Sequence, residues 1–377
     1  MTTIRRAPKS YDVVVIGAGQ AGLAIGYFLA RQGKRFVILE GAGSVGAAWR
    51  ARWDSLLLFT PRRYDSLPGL AFPGDPDGYP TRDEVIEYLE RYAATFELPI
   101  ELDAAVQSLT EKDGRFVVGL EDGSIEADQV VVATGPYQTP RVPEIAGRLA
   151  PEVFQTHSTG YLNPDDVPDG TVLVVGGGNT GFQIANELSA THRVQLSIGS
   201  RQMPLPQKLL GRDLFWWLTK LGLLEKTVES RFGRRMRDRD TLIGSSPRAL
   251  KASGVQLKPR AAGASGQTIG FIDGSELQVD AVIWATGYRL DHSWINLPSG
   301  DGLIPHKRGV TEVPGLYFLG LQWQYTRGSA LLGWVKDDAE YIAGRIDAFE
   351  RSQTRRSSLA TTHEIARTEA SEAEVPA

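Results

Sequence analysis

Two glycine-rich turns stand at matching points of this 377-residue chain, each between an apolar run and a segment whose small and apolar residues recur at helical spacing. In this spacing the first glycine allows a tight turn, the second lets the backbone approach a pyrophosphate, and the third lets the helix pack closely on the strand. The N-terminus of the helix then stabilises the phosphate charge. The sequence therefore predicts two dinucleotide sites, with turns formed by Gly17, Gly19 and Gly22 and by Gly176, Gly178 and Gly181.

The residues after the next strand of each unit differ in charge. The run "RFVILE" ends in Glu40, about 20 residues past the first glycines, where a carboxylate accepts a hydrogen bond from a free ribose 2′-hydroxyl. The matching run of the second unit ends in Gly199, Ser200 and Arg201, and an arginine beside a hydroxyl favours a 2′-phosphate. The first turn is therefore expected to bind FAD or NAD, and the second, with Asn179, to bind NADP. The alternative for Arg201 is a solvated surface position.

A second repeat accompanies the turns. "DQVVVATGPY" and "DAVIWATGY" are apolar strands that end in Ala-Thr-Gly, and each follows a stretch with an Asp-Gly turn that predicts a hairpin. These Ala-Thr-Gly corners add Thr134, Gly135, Thr286 and Gly287 to the residues expected to bind cofactor. Internal duplication is the simplest explanation, with the second nucleotide unit inserted into a discontinuous first one.

This organisation predicts domain boundaries. The first domain is expected at residues 8–160 and 281–348, resuming with "GLYFLG", which ends in Gly320, and closing with a helix from about Ser329 through Ile346. The N-terminus of that helix would direct a positive dipole at the pyrimidine end of a flavin. The second domain is expected at 161–280, with a packed helical cap at about 203–260; a membrane-surface helix or a substrate lid is the alternative for this cap. Residues 349–377 are polar and predicted to be disordered.

The amino-acid composition excludes several kinds of site and partner. The chain has no cysteine, which excludes disulfides, thiolate metal sites, iron–sulfur clusters and Cys-x-x-Cys redox pairs. With five histidines and no His-Glu-x-x-His motif, no metal is expected. The net charge of −4 gives no reason to expect nucleic acid. No apolar stretch approaches the roughly 20 residues of a membrane helix, and the first residues lack a signal core, so a cytoplasmic location is expected.

The paired turns, both Ala-Thr-Gly corners, "VGAAW" (45–49) and "HSTGY" (157–161) together resemble the class B flavin-containing monooxygenases, in particular their small bacterial members. The resemblance covers about residues 10–347. It implies an α/β fold with two Rossmann-like dinucleotide-binding domains in the glutathione-reductase-like FAD/NAD(P) arrangement, the NADP domain being inserted into the FAD domain. It also implies FAD and NADPH as cofactors.

Two departures from the family pattern affect the predicted site. The fingerprint Phe-x-Gly-x-x-x-His-x-x-x-Tyr/Phe is matched by His157 and Tyr161, but its first two positions hold Pro151 and Val153. His157 is either a linker that transmits NADP binding or a histidine with structural partners at the domain junction. The asparagine of the family motif "SLxxNxP" is replaced by Phe59, which shields the site from water but donates no hydrogen bond and so favours leakage to hydrogen peroxide.

The resemblance implies NADPH-dependent monooxygenation, through a flavin C4a-hydroperoxide, of a small lipophilic nucleophile such as a sulfide or an amine. FAD supplies the difficult chemistry, so no acid–base dyad is required. Trp49 and Phe59 are expected near the flavin, and Gln322, Trp323 and Arg327 on the turn before the last helix, where helix-start packing is the alternative role. His157 and Tyr161 complete the predicted catalytic set.

Other functions fit the same two turns. An NADPH oxidase or carrier-coupled flavin reductase would insert no oxygen, and the basic stretch Arg231 to Arg239 would then dock an acidic carrier. A nucleotide-sensing regulatory flavoprotein would bind both dinucleotides without turnover. The expected partners are a lipophilic small molecule and molecular oxygen, and a homodimer is left open.

Overall fold

A computed structural model describes residues 9–200, 202–237, 241–297 and 304–372, with side chains described as far as residue 355. Its strands are β1 (Lys9–Ile16), β2 (Phe36–Leu39), β3 (Ile100–Glu101), β4 (Ser108–Lys112), β5 (Arg115–Leu120), β6 (Gly123–Val132), β7 (Thr139–Pro140), β8 (Phe154–His157), β9 (Thr171–Val175), β10 (Arg193–Ser197), β11 (Met203–Leu205), β12 (Lys208–Leu209), β13 (Arg212–Asp213), β14 (Thr241–Ile243), β15 (Gln256–Lys258), β16 (Ala261–Ser265), β17 (Thr268–Phe271), β18 (Glu276–Gln278), β19 (Ala281–Trp284), β20 (Tyr288–Arg289), β21 (His306–Lys307), β22 (Val310–Thr311) and β23 (Leu316–Phe318).

The α-helices are α1 (Gln20–Arg31), α2 (Ala47–Arg50), α3 (Arg82–Thr95), α4 (Asn179–Leu188), α5 (Leu214–Lys220), α6 (Arg231–Arg237), α7 (Pro247–Ala252) and α8 (Val335–Glu372). Short 3₁₀ turns span Arg62–Tyr64, Glu144–Arg148, Pro164–Asp166 and Arg327–Ala330. Within the described residues, none of the helices is long and apolar enough to cross a membrane.

The first sheet has nine strands, in the order β21-β22-β23-β6-β1-β2-β3, with β4 and β5 added through a hairpin to β6. The strands at its centre are parallel, and Val13, Val14 and Val15 of β1 are fully buried. A strand that is covered on both faces requires such a continuous apolar run. Helices α1, α3 and α8 contribute to the core on one face. The hairpin predicted at the first Asp-Gly turn is confirmed as β5–β6.

The second sheet has five parallel strands in the order β15-β10-β9-β19-β8. Helix α4 buries Phe182, Ile184 and Leu188 against one face, and the antiparallel strands β16, β17 and β18 pack on the other face. The second predicted hairpin is confirmed as β17–β18. These two parallel sheets confirm the predicted α/β fold with two Rossmann-like units, the second inserted into the first.

The chain passes from the first unit to the second and back again through neighbouring segments. Strand β7 on the outgoing path pairs antiparallel with β20 on the returning path, with Pro140 opposite Tyr288. The backbone N–H of Arg141 donates to the carbonyl of Gly287 at 2.9 Å. The two crossings are therefore joined by hydrogen bonds.

The sequence prediction differs from the structure at four places. The predicted domain boundaries after residues 160 and 280 are wrong, because β8 and β19, expected in the first domain, belong to the second sheet. The last helix begins at Val335, because Gly328 and Gly333 interrupt the preceding segment and leave only the 3₁₀ turn Arg327–Ala330. Helix α8 then continues to Glu372, through residues predicted to be disordered from 349 onward; residues 349–372 contain no glycine or proline and are rich in good helix formers. Within the predicted cap at 203–260, β15 belongs to the second sheet instead.

Asp65 is buried next to the segment that carries Phe59. Thr60 Oγ1 donates to Asp65 Oδ1 at 2.7 Å, while Oδ2 has no hydrogen-bond partner among the described residues. Burial raises the pKa of Asp65 from its ordinary value of 3.8 to about 7.

This shift predicts a pH-dependent effect of Asp65→Asn on stability. Because the folded-state pKa is raised, the contribution of Asp65 is full below about pH 4 and is lost as the pH rises through about 7. The substitution should therefore raise the melting temperature more at pH 8 than at pH 5. Thermal denaturation at both pH values measures this, and equal shifts at the two would contradict the assignment.

Candidate functional site

The two glycine turns have the same backbone geometry. The first glycine of each turn is left-handed, with φ of +107° at Gly17 and +139° at Gly176. A Cβ at Gly17 would lie 2.7 Å from the carbonyl oxygen of Ala133, and a Cβ at Gly176 would overlap the carbonyl oxygen of Ala285. Only glycine fits both the dihedral angles and the space. Each turn therefore packs against the strand that ends in its own Ala-Thr-Gly corner.

The other four glycines of the two turns differ in their surroundings: Gly22 and Gly181 pack against backbone, whereas Gly19 and Gly178 face open space. A Cβ at Gly22 or at Gly181 would overlap the carbonyl oxygen of the first glycine in the same turn. At Gly19 and Gly178, which precede α1 and α4, a Cβ would meet nothing within 4 Å, and neither helix has a side-chain cap. The first N–H groups of both helices therefore lie beside open space, as a bound pyrophosphate requires.

Asn179 contributes to this geometry indirectly. Its Nδ2 donates to the carbonyl of Thr241 at 3.0 Å, and its Oδ1 accepts from the N–H of Ile243 at 2.9 Å. Both bonds go to β14, so the amide joins the start of α4 to the cap. The side-chain amide of Asn179 thus has backbone partners on β14, and its predicted role in cofactor binding stays a prediction.

Glu40 lies at the mouth of the first turn. Its carboxylate accepts hydrogen bonds from the backbone N–H groups of Ala18, at 2.8 Å, and Ala42, at 3.1 Å. These bonds fix the carboxylate and leave lone pairs for a ribose hydroxyl. The predicted position of Glu40 next to the turn is what the structure shows.

The register of the second sheet identifies the residue that corresponds to Glu40. The N–H of Gly17 donates to the carbonyl of Leu39 at 2.7 Å, and that of Gly176 donates to the carbonyl of Ser197 at 3.0 Å. The next residue, Ile198, therefore occupies the position of Glu40, and no carboxylate stands there to repel a 2′-phosphate. Ser200 follows at this edge and accepts a hydrogen bond from Gln202 at 3.2 Å, whereas Arg201 lies outside the described residues.

The Ala-Thr-Gly corners are held by their own side-chain bonds. Gly135 and Gly287 are left-handed, with φ of +71° and +81°. Gln138 Nε2 donates to Thr134 Oγ1 at 2.8 Å and to the Gly135 carbonyl at 2.9 Å. Thr286 Oγ1 donates to the carbonyl of Arg141. Each corner is thus a rigid turn directly beside a glycine turn.

A cluster that the sequence analysis missed joins the two corners. The Arg52 guanidinium lies 4.7 Å from the ring centroid of Tyr137 and 5.3 Å from that of Tyr288, and it donates to Tyr288 Oη at 2.5 Å. The tyrosine rings meet edge to face at 5.2 Å. The signal was present in the sequence, since a tyrosine follows both corners, but the contribution of Arg52 is visible only in three dimensions.

His157 belongs to the same junction. Its ring packs edge-on against Tyr288 at 5.0 Å, and its Nε2 donates to the carbonyl of Gly287 at 3.1 Å. The N–H of Thr159 donates to Nδ1 at 3.2 Å, so the pattern fits the neutral ring with a proton on Nε2. Burial lowers the pKa of His157 and keeps the ring neutral at pH 7. Both ring nitrogens thus have structural partners at the domain junction, as the second alternative expects, and a role of His157 in transmitting NADP binding stays a prediction.

Tyr161 is part of the second core, and this corrects its predicted catalytic place. It is 0% exposed and packs with Val172, Val174 and Phe182. Its hydroxyl donates to Glu187 Oε2 at 2.7 Å. Burial and this carboxylate raise the pKa of Tyr161. A side chain without exposed surface does not meet a substrate, so Tyr161 stabilises α4 against the second sheet.

The packing role of Tyr161 gives a direct prediction. Tyr161→Phe should lower the free energy of unfolding by about 1–2 kcal/mol, because a buried hydrogen bond to a charged group is lost while the ring remains. The rate of flavin reduction by NADPH should not change. Chemical denaturation and stopped-flow absorbance measure the two quantities, and a large fall in rate at unchanged stability would restore the catalytic interpretation.

The turn after β23 closes the first site. Gly320 is left-handed, with φ of +85°, and a Cβ there would lie 2.8 Å from Ala21 Cβ, so this turn packs on the start of α1. Gln322 Nε2 donates to Tyr137 Oη at 3.2 Å, which joins the turn to the first corner. Trp49 Nε1 donates to Gln20 Oε1 at 3.1 Å. The structure thus brings these three predicted residues together around the first glycine turn.

Arg327 begins the 3₁₀ turn that follows. Its side chain is half-buried, and its guanidinium has no ion pair or hydrogen bond with the residues that the structure describes. Burial lowers the pKa of Arg327, although a guanidinium remains charged at neutral pH. An unpaired positive charge in a partly dry site favours an anionic ligand.

Phe59 connects this site to the cap. Its ring stacks on Phe215 of α5 with centroids 5.8 Å apart and planes 8° apart. Gln207 Nε2 donates to the Phe59 carbonyl at 2.8 Å and to Asp213 Oδ2 at 2.8 Å, and Tyr79 donates to the same carboxylate at 2.7 Å. The cap therefore packs on the segment that carries Phe59.

Comparisons with known proteins agree with this geometry. The pyridine nucleotide-disulphide oxidoreductase family matches residues 14–207. An uncharacterized CzcO-like oxidoreductase of Geobacillus kaustophilus is 48% identical over 89% of this chain and 98% of its own length. Indole-3-pyruvate monooxygenase YUCCA4 of Oryza sativa is 32% identical over 86% of this chain and 82% of its own length. The solved structure of a flavin-containing monooxygenase from Stenotrophomonas maltophilia has a TM-score of 0.76 at 31% identity, covering 90% of this chain and 99% of that one.

Proposed function

Because the chain belongs to the class B flavin-containing monooxygenase family, within the pyridine nucleotide-disulphide oxidoreductases, we propose that it is an NADPH-dependent FAD monooxygenase that oxygenates a small lipophilic nucleophile such as a sulfide or an amine. One observation carries the proposal. Two glycine turns of matching geometry lie at the carboxyl ends of two parallel sheets, and the corners beside them meet at Arg52. This arrangement brings two dinucleotides to one junction.

The two sites differ in what they can hold. The first turn has Glu40 at its mouth and the Gly320 turn packed on α1, which supports FAD there. In the second turn, Ile198 replaces the acid and Ser200 follows, which supports NADPH. In this proposal the NADP domain is the segment between β7 and β20, which includes β8 and β19 in addition to the predicted residues 161–280. The rest of the described chain forms the FAD domain.

FAD reduced by NADPH supplies the activation of molecular oxygen, for which amino-acid side chains have no equivalent. The side chains of this protein position the reacting groups, supply charge and exclude water. Phe59 and Phe215 stack into an apolar wall that excludes water. Arg327 provides a fixed positive charge, and neutral His157 holds the second corner in place through the Gly287 carbonyl.

The same aromatic cluster supports the proposed substrate class. Phe215 also contacts Trp334 at 5.8 Å, and Trp334 stacks on Tyr64 at 5.6 Å, so the aromatic surface extends beyond Phe59. Such a surface favours a lipophilic molecule over a charged or strongly hydrated one. The chemistry of an activated oxygen favours a soft nucleophilic atom, hence a sulfide or an amine.

A second function is supported by a specific observation. Phe59 donates no side-chain hydrogen bond at the position where the family motif has asparagine, and α6 exposes Arg231, Arg234 and Arg235 on the cap. A flavin reductase that passes electrons to oxygen or to an acidic protein carrier would use both features. We rank this function second, because two proteins similar to this chain, YUCCA4 and the Stenotrophomonas maltophilia protein, are monooxygenases.

Rapid mixing separates the two functions. The FAD-loaded protein is reduced anaerobically with NADPH, mixed with oxygenated buffer and followed by absorbance, with methyl phenyl sulfide or a tertiary amine added in parallel runs. Monooxygenation predicts a transient blue-shifted absorbance that decays faster with substrate, and isotope-labelled oxygen in the product. Direct return to the oxidised spectrum, with one hydrogen peroxide formed per NADPH under all conditions, would favour the oxidase or reductase.

A further inference from the structure

The edge of the second sheet carries an arginine that the sequence analysis did not single out. Strands β10 and β15 are parallel neighbours, with Ser197 opposite Lys258, so their carboxyl ends meet at the same edge. Residues 198–200 follow β10 there, where the ribose of the second dinucleotide is expected. Arg260 lies two residues after β15 at the same edge.

Arg260 is held in contact with this segment. Its Nη2 donates to the carbonyl of Gly199 at 3.0 Å. A Cβ at Gly199 would lie 3.1 Å from Arg260 Nε, tighter than most side chains tolerate, so glycine lets the guanidinium lie directly on the backbone. The arginine is thus fixed at the position after Ile198 and before Ser200.

The charge of Arg260 has no carboxylate partner in the part of the chain that the structure describes. The residue is also exposed. One N–H group bonds to Gly199, which leaves the others free to form a fork to a phosphate. Ser200 Oγ lies next along the chain, and Ile198 presents no negative charge.

We infer that Arg260 recognises the 2′-phosphate of NADPH and sets the preference for NADPH over NADH. The inference rests on the proposed binding of a nicotinamide dinucleotide at the second turn. It adds a residue about sixty positions beyond the arginine that the sequence pattern indicated, and the glycine at 199 leaves room for its guanidinium.

Binding of adenosine fragments tests this without turnover. Calorimetry on the FAD-loaded protein compares adenosine 2′,5′-bisphosphate with 5′-AMP, at fixed ionic strength, for the wild type, Arg260→Ala and Arg260→Lys. Arg260→Ala should weaken the bisphosphate by about tenfold or more, because a charge-assisted fork is lost, and leave 5′-AMP within about twofold. Arg260→Lys should fall between, since lysine retains the charge without the fork.

Arg193 provides the matched control. It is also exposed and lies at the start of β10, the strand next to β15, so Arg193→Ala removes the same charge from the opposite edge of the second sheet without reaching the ribose edge. This variant should bind both fragments as the wild type does. Melting temperatures identify any variant that fails to fold, in which case Arg260→Lys alone decides between the outcomes.

The outcomes separate this inference from the proposed function. Equal weakening of both fragments in Arg260→Ala, or weakening of neither, would overturn the inference even if the enzyme oxygenates a substrate. Selective loss of the bisphosphate would support it even if only hydrogen peroxide is formed. In steady-state assays of NADPH consumption, the ratio of kcat/KM for NADPH to that for NADH should fall by the same factor as the bisphosphate affinity.

Discussion

Replacing Gly178 by valine should give a yellow, folded protein that NADPH no longer reduces. A Cβ at this position meets nothing within 4 Å, and the φ of −82° is open to any residue, so the protein itself tolerates the side chain. The isopropyl group would fill the space beside the α4 N–H groups, where the pyrophosphate of NADPH is proposed to bind. We expect the reduction rate at fixed NADPH to fall at least a hundredfold, while dithionite still bleaches the flavin.

The same change in the other turn should produce the opposite phenotype. Gly19→Val meets the same open space before α1, at a φ of −79°, and should yield a colourless protein that retains affinity for adenosine 2′,5′-bisphosphate. Gly270→Val is the matched control, because its Cβ also enters open space but lies on β17, away from both turns. Bound flavin and NADPH reduction rates measure all three variants. A Gly178→Val protein reduced at the wild-type rate would refute the assignment of the second turn.

Arg327→Met should slow flavin reduction by about a hundredfold, the scale expected when one charge is removed a few ångströms from an ionic group in a partly dry site. The unpaired guanidinium at the first site favours negative charge, and the flavin gains negative charge as it accepts hydride. The flavin midpoint potential should therefore fall as well. Spectroelectrochemistry and anaerobic rapid mixing measure the two effects.

Stability distinguishes this role from simple packing. The Arg327 guanidinium is desolvated without an ion pair among the described residues, so replacing it by methionine of similar length should leave the melting temperature unchanged or raise it. Arg327→Lys should recover part of the rate and of the potential, since the charge returns. A variant that loses thermal stability while retaining its midpoint potential would assign Arg327 to the packing of the last turn.

Local patterns in the sequence were sufficient to predict much of this fold. Glycine spacing, apolar runs and Asp-Gly turns are properties of short segments, so both parallel sheets and both hairpins could be predicted from them. Gly17, Gly22 and Glu40 occupy the places that these patterns indicate.

The remaining features depend on contacts between distant segments. Tyr161 matches a family motif but is buried, and its hydroxyl donates a hydrogen bond to Glu187 on a different element. Asn179 bonds to β14, more than sixty residues away. Arg260 reaches Gly199 only because β15 aligns beside β10. No spacing rule links such pairs, and this is why the sequence predicted the turns better than the residues around them.

The paired crossings β7 and β20 have a consequence for how this protein can be changed. Since the outgoing and returning chains are hydrogen-bonded neighbours at Arg141 and Gly287, the segment between them enters and leaves the first unit at one place, although its cap also packs on the segment that carries Phe59. This stretch of the gene is continuous, so it can be replaced by the matching stretch from another flavoprotein. The two ends of the inserted segment would then join the first unit side by side. Coenzyme preference and cap architecture can thus be inherited, or engineered, as one cassette while the flavin-binding scaffold is kept.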